Sequence, residues 1–297
     1  VIDRNRKNFD GRAAMDLRRA DFMGTWYPAT ARECELRIRA FLEDGVPALE
    51  KGVLGVGGVV PHAGWSFSGS LAARVLAAMK TGPDPDAVVI FGMHLGPRHP
   101  AFLTDRGAFE TPFGDLPVAQ DLAQALARGF PFQLETPARH VQDNTIELQL
   151  PFIKYFFPDT KIVPIGAPPV ERSLAMAESV VDLAAHLGLS VKVVGSTDLT
   201  HYGPNYGFSP AGDGPAAKKW VREENDRKMV DLLLSLEPEQ IIAEGLKSKS
   251  ACCSGAAASA ATAARKLGAA RGQMVGYYTS SDVHPSDSFV GYAGILY

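Results

Sequence analysis

Three histidines stand where apolar runs stop. His62 follows the run Gly55 to Val60, His94 follows Ala87 to Phe91, and His201 comes a few residues after Val191 to Gly195. Imidazole titrates near neutrality and is the commonest protein ligand for iron, copper and zinc, so a recurrence in one context points to a shared site. A single case would read as a histidine satisfied in a turn. The fourth reactive group is Cys252, in Lys249-Ser250-Ala251-Cys252-Cys253-Ser254-Gly255, just before an alanine-rich helical stretch. The partial positive charge at such a helix start favours thiolate over thiol, and a thiolate is a metal ligand or a nucleophile. Asp198 lies three residues before His201, and Asp282 and His284 form a second carboxylate and imidazole pair. Such pairs serve second-sphere orientation, proton transfer or loop capping. His186 falls inside a helical pattern and His99 in a Gly-Pro loop, so both read as structural or surface residues.

The elements that must position these groups alternate. Thr30 with Glu33 forms a capping box for a helix ending by Gly45. Apolar strands are expected up to Val60, over Ala87 to Phe91, Lys161 to Ile165 and Val191 to Gly195, with helices over Ser68 to Lys80, Val118 to Arg128 and Glu171 to Leu187. Ala101 to Thr104 reads as a short strand, and Pro151 should end or kink a helix within Thr145 to Phe157. The stretch Tyr202 to Gly214 reads as a surface loop, long enough for a lid. Helices over Pro215 to Leu236, Pro238 to Leu246 and Ser254 to Leu267 precede strands at Met274 to Tyr278 and Phe289 to Tyr297. The expected fold class is α/β, a three-layer sandwich built mainly on one mixed sheet flanked by helices. Strands that share a direction would bring His62, His94 and His201 to one edge, where open α/β sheets bind ligands. Residues 1 to 22 are polar and without periodicity and read as an N-terminal arm, leaving 23 to 297 as one domain.

Bulk composition narrows the function. A formal net charge of -3, with no basic patch, argues against nucleic acid as a partner. No apolar run approaches the ~20 residues of a membrane span. Three cysteines, two of them adjacent, are too few for a disulfide framework and fit a reducing, cytoplasmic setting.

An ordered set of motifs then carries a resemblance from about residue 12 to the end. It comprises Gly24-Thr25-Trp26-Tyr27-Pro28, Pro61-His62-Ala63-Gly64-Trp65, Phe91-Gly92-Met93-His94, Glu110-Thr111-Pro112-Phe113-Gly114-Asp115, Glu147-Leu148-Gln149-Leu150-Pro151-Phe152, Asp198-Leu199-Thr200-His201-Tyr202-Gly203 and Tyr277-Tyr278-Thr279-Ser280-Ser281-Asp282. This set is similar to the Memo-like family, known in prokaryotes as AmmeMemoRadiSam system protein B. That family resembles the class III extradiol dioxygenases, whose α/β sandwich holds a non-haem iron at the sheet edge.

The resemblance implies a metal site of His62, His94 and Cys252, with Asp198 and His201 lining the same pocket. It implies iron(II) as the cofactor, with copper or zinc favoured by a thiolate in place of the dioxygenase carboxylate. His201 would then act as acid or base and Asp198 would orient it, while Trp26 and Trp65 would wall the pocket. Three departures stand out. Gly92-Met93 replaces a proline and a small residue, and Asp143-Asn144 replaces a Glu-His pair, leaving His140 as a further catalytic candidate. Cys253 stands where the family tends to have glycine; either sulfur can bind, and alignment favours Cys252. The expected function is metal-dependent redox chemistry on an unknown small substrate or protein group. The alternatives are a peptide or phosphopeptide adaptor using the same cleft, and a zinc-dependent hydrolase. The family name implies radical-SAM and AMMECR1-domain proteins as company, and the arm leaves room for a homodimer.

Overall fold

The structure, a computed structural model, describes residues 16–297. Its centre is a parallel block of four strands, β2 (Gly57–Val60), β3 (Ala87–Gly92), β8 (Lys161–Gly166) and β9 (Val191–Ser196), lying side by side in the order β2-β9-β3-β8. These runs are apolar because helices cover both of their faces. Around the block, β12 (Phe289–Leu296) pairs antiparallel with β2, and both β10 (His201–Tyr202) and β11 (Gln273–Thr279) pair with β12. On the far side β4 (Ala101–Thr104) runs antiparallel to β8 and is joined by β7 (Phe132–Glu135). The nine strands make one mixed sheet. A small second sheet contains β1 (Leu17–Arg18), β5 (Ala108–Phe109) and β6 (Leu116–Pro117).

Two helices define the outer layers. On one face lies α2 (Trp65–Ala78), against which α1 (Ala31–Phe41) and α5 (Leu150–Phe156) pack. On the other lies α10 (Ser254–Lys266), backed by α6 (Glu171–His186) and α9 (Pro238–Ser248). Register shows that these faces are opposite. Gly58 sits under Val75 of α2, whereas Gly195, next along from Gly58's neighbour Val194, sits under Ala256 and Ala260 of α10. Successive strand residues point to opposite faces, so the two helices flank the sheet. Helix α10 is alanine-rich because it is buried all round, and small side chains let it approach both the sheet and α6.

The remaining helices are α3 (Gln120–Gly129), α4 (Asn144–Glu147), α7 (Gly214–Trp220), α8 (Asp226–Leu234) and α11 (Ser280–Val283). Pro151 acts as expected on its helix: α4 stops, and α5 restarts at Leu150 with the proline in its first turn, where no donor is needed. The expected helix from Pro215 is interrupted, since a π-helical turn at Val221–Asn225 separates α7 from α8. Of the expected arm, residues 1–15 lie outside the described residues. Beyond them, Leu17–Arg18 pairs with β5, and the Arg18 guanidinium meets the buried Glu135 carboxylate at 2.9 Å. Among the described residues no helix is long and apolar enough to cross a membrane.

Candidate metal centre

The parallel block delivers three side chains to one edge at one offset. His62, His94 and Asp198 each come two residues after the last residue of β2, β3 and β9. Their strands are neighbours, with β9 in the middle, so the residues converge without long loops. Cys252 arrives from the other direction, at the entry to α10, and its backbone N–H donates to the Asp198 carbonyl at 3.1 Å. The backbone turn before His94 is tight. Met93 has φ 70°, a left-handed conformation unusual for a side-chain-bearing residue, and its N–H donates to Thr145 Oγ1 at 2.6 Å. Gly92 must be small there, because a Cβ would lie 2.5 Å from that same Oγ1.

Both imidazoles are held by their Nδ1 atoms. His62 Nδ1 lies 3.0 Å from Ser196 Oγ, and that hydroxyl spends its own proton on the Thr145 carbonyl at 2.7 Å. Ser196 must therefore accept, so His62 carries hydrogen on Nδ1 and turns Nε2 to Cys252 Sγ, 3.3 Å away. His94 Nδ1 faces the Asp143 carboxylate at 3.0 Å, which likewise turns Nε2 to Cys252. A carboxylate or hydroxyl behind the ring is the usual way a metal-binding histidine is oriented. Ligand atoms of His62, His94, Cys252 and Cys253 all lie within 4.8 Å of one another. Two imidazoles with thiolate sulfur form a donor set for a borderline or soft ion, and this group fits such a metal.

Electrostatics agree with that arrangement. Burial alone would raise the Cys252 thiol, but the neighbouring Cys253 thiol and the two imidazoles outweigh it and hold Cys252 well below the ordinary thiol range. Burial opposes charge on His62, yet Asp198 and Cys252 raise it. His94, which burial would lower, is pushed up to about 10 by its bonds to Asp143 and Cys252. Burial would raise Asp143, but bonds from His94 and Thr145 hold it well below the usual carboxylate range. Those shifts favour a thiolate at Cys252 beside protonated imidazoles.

Residues 18–296 match the family described as Memo-like protein. The chain belongs to the Memo-like family. A MEMO1 family protein of Pyrococcus furiosus is 31% identical, covering 94% of this chain and 98% of its own. One from Methanopyrus kandleri is 32% identical, covering 92% and 96%. A solved structure, an uncharacterized protein of Escherichia coli K12, superposes with TM-score 0.47 at 14% identity over 75% of this chain and 91% of that one.

In this Memo-like chain the histidines and Asp198 open onto a cleft of about 670 Å³. Trp26 reaches it and is 41% exposed. Trp65 does not: it is buried, stacks on Phe152 at 4.0 Å and donates its indole N–H to the Leu148 carbonyl at 3.2 Å. His140 also lies outside the cleft lining. Its ring bridges the Pro137 carbonyl and the Asp21 carboxylate, both at 3.1 Å, so it clamps the segment before Trp26. His201 lines the cleft, but its Nδ1 faces the Leu199 carbonyl at 3.2 Å. Asp198 instead accepts the His62 backbone N–H at 2.7 Å, and its other oxygen lies 3.9 Å from His62 Nε2.

Asn144, Glu147 and Gln149, given no role by the sequence, brace the site. Asn144 donates to the His62 carbonyl at 2.8 Å, and Gln149 donates to the Pro61 carbonyl at 3.0 Å. Buried Glu147 accepts from the Asp21 and Phe22 N–H groups and from the Tyr27 hydroxyl, which seats the loop carrying Trp26. The Glu147-Leu148-Gln149 motif is therefore a brace for two rims of the cleft. Tyr206, Tyr292, Ser280, Ser288 and His284 also line the wall; Ser280 falls in the Tyr277 to Asp282 motif and His284 pairs with Asp282 in sequence, whereas the other three carry no sequence signal.

Proposed function

We propose that this Memo-like chain binds one metal ion, iron(II) before copper or zinc, through His62 Nε2, His94 Nε2 and Cys252 Sγ, and uses it in redox chemistry on a small molecule or protein group held in the cleft. One observation carries the reading: two imidazoles backed at Nδ1 and a thiol biased toward thiolate converge at the edge of a roomy cleft. Bound there, a redox-active ion would supply one-electron chemistry and an electrophilic centre for a ligand. The chain's own groups have separable tasks. Asp143 and Ser196 fix the rings, Asp198 pins the His62 backbone, and His201 on the rim is placed to give or take a proton. Trp26, Phe67 and Tyr292 offer apolar faces to the ligand.

A phosphopeptide adaptor is less well supported, because among the described residues no lysine or arginine lines this cleft and Lys249 alone lines the adjoining cavity that shares His94 and His201, whereas phosphate recognition leans on clusters of such groups. The test is elemental analysis with electron paramagnetic resonance on anaerobically prepared protein. The expected result is close to one equivalent of metal, lost in His62→Ala and in Cys252→Ala. Unchanged metal content in both variants defeats the proposal. Turnover supported by zinc and indifferent to oxygen or reductant would turn the reading to hydrolysis.

A further inference from the structure

We infer that Cys253 is a fourth donor to the same ion, making the site a two-imidazole, two-thiolate set. The inference rests on the reading that this cluster binds metal. It goes beyond the three ligands that the family resemblance implies.

The geometry carries it. Cys253 Sγ lies 3.7 Å from Cys252 Sγ, and Cys252 Sγ lies 3.3 Å from His62 Nε2. A tetrahedral ion with bonds of about 2.3 Å to sulfur and about 2.0 Å to nitrogen separates two sulfurs by roughly 3.8 Å and sulfur from nitrogen by roughly 3.5 Å. All four ligand atoms fall within 4.8 Å of one another, so the second sulfur belongs to the cluster and not to its surroundings. The dipeptide is also anchored at both residues. Cys252 N–H is held by the Asp198 carbonyl at 3.1 Å, and Cys253 N–H by Thr197 Oγ1 at 3.0 Å. Both anchors lie on the rim just beyond β9, which fixes the two sulfurs relative to the histidines.

Charge points the same way. Cys253 is buried, and a second thiolate would bring the directly bonded donors of a divalent ion to charge balance inside the protein. Such a set selects tetrahedral, thiophilic ions over octahedral, oxygen-seeking ones such as magnesium. It also fills four positions at rest, so an incoming ligand must expand the coordination or displace a donor. Half-exposed His94, with 44% of its side chain accessible, is the donor nearest solvent.

The decisive measurement is X-ray absorption at the zinc edge of the full chain loaded with one equivalent of zinc under reducing conditions. Two sulfurs per zinc are expected, falling to one in Cys253→Ser. Cobalt(II) loading gives an independent readout: the thiolate charge-transfer band should lose about half its intensity in Cys253→Ser while stoichiometry stays near one. A single sulfur per zinc in the unaltered chain, where no substitution can disturb folding, overturns this inference and leaves the metal site standing. Failure of the unaltered chain to take up zinc or cobalt overturns both.

Discussion

The side chains that would touch an ion were easier to read than those behind them. His62, His94 and Cys252 stand out because imidazole and thiol carry distinctive chemistry wherever a strand or helix terminates. Ser196 and Asp143 do not, because a serine at a strand end or an aspartate before a helix has many ordinary uses, and their partners are 134 and 49 residues away. Trp65 and His140 lie away from the cleft for the complementary reason: an aromatic or a histidine near a motif can face the core or a neighbouring loop, and the sequence does not distinguish the two. The carboxylate behind His94 yields a direct expectation. Asp143→Asn keeps an oxygen to cap Thr145 but loses the charge that steadies the ring, so metal affinity should fall about 10- to 100-fold. Competition titration against a chelator would measure this, and an unchanged dissociation constant would remove Asp143 from the account.

At the level of elements, the π-helical turn between α7 and α8 has a definable consequence. It precedes the buried Asp226, whose carboxylate accepts from the Thr200 N–H at 3.0 Å, from the Thr200 hydroxyl and from the Tyr277 hydroxyl at 2.8 Å. Neighbouring Asn225 donates to Thr200 Oγ1 at 2.9 Å, so the turn grips the residue just before His201. Gly291 is required beside it, because a Cβ there would collide with the Asp226 carboxylate. Burial pushes Asp226 up to about 7 against the opposing pull of those bonds. An acid raised in the folded state keeps its proton where the unfolded chain, with a pKa of about 3.9, has lost it. Its stabilising contribution is therefore full below about pH 4 and is lost as pH rises through about 7, a span worth about 4 kcal/mol. Urea unfolding at pH 4 and pH 8 should show this difference shrinking in Asp226→Asn; parallel profiles would mean that the carboxylate is ionised throughout. The sequence revealed long elements well because apolar runs covered on both faces have a plain signature. Strands of two residues, such as β1, β5, β6 and β10, have no period to detect, and the π turn leaves no mark in a helical pattern.

Across the whole molecule the parallel block and its two helical covers were legible, since strands alternated with helices and each strand was followed by turn residues. Strand order was not, because sequence order does not say that β9 inserts between β2 and β3. That insertion requires close seating of α10. A Cβ on Gly195 would meet Ala260 Cβ at 2.8 Å and the Ala256 carbonyl at 2.9 Å, so Gly195→Ala should cost about 1–3 kcal/mol by denaturant unfolding. No loss would mean that the helix has room to shift. The convergence at the sheet edge carries a mechanical corollary. Positions 62, 94 and 252 are remote along the chain, so an ion gripped by all three is a removable cross-link between distant segments. Chelation should lower the melting midpoint while leaving secondary structure in place. The stabilisation should climb with the logarithm of free metal, reaching about 2.7 kcal/mol at a hundredfold excess over the dissociation constant.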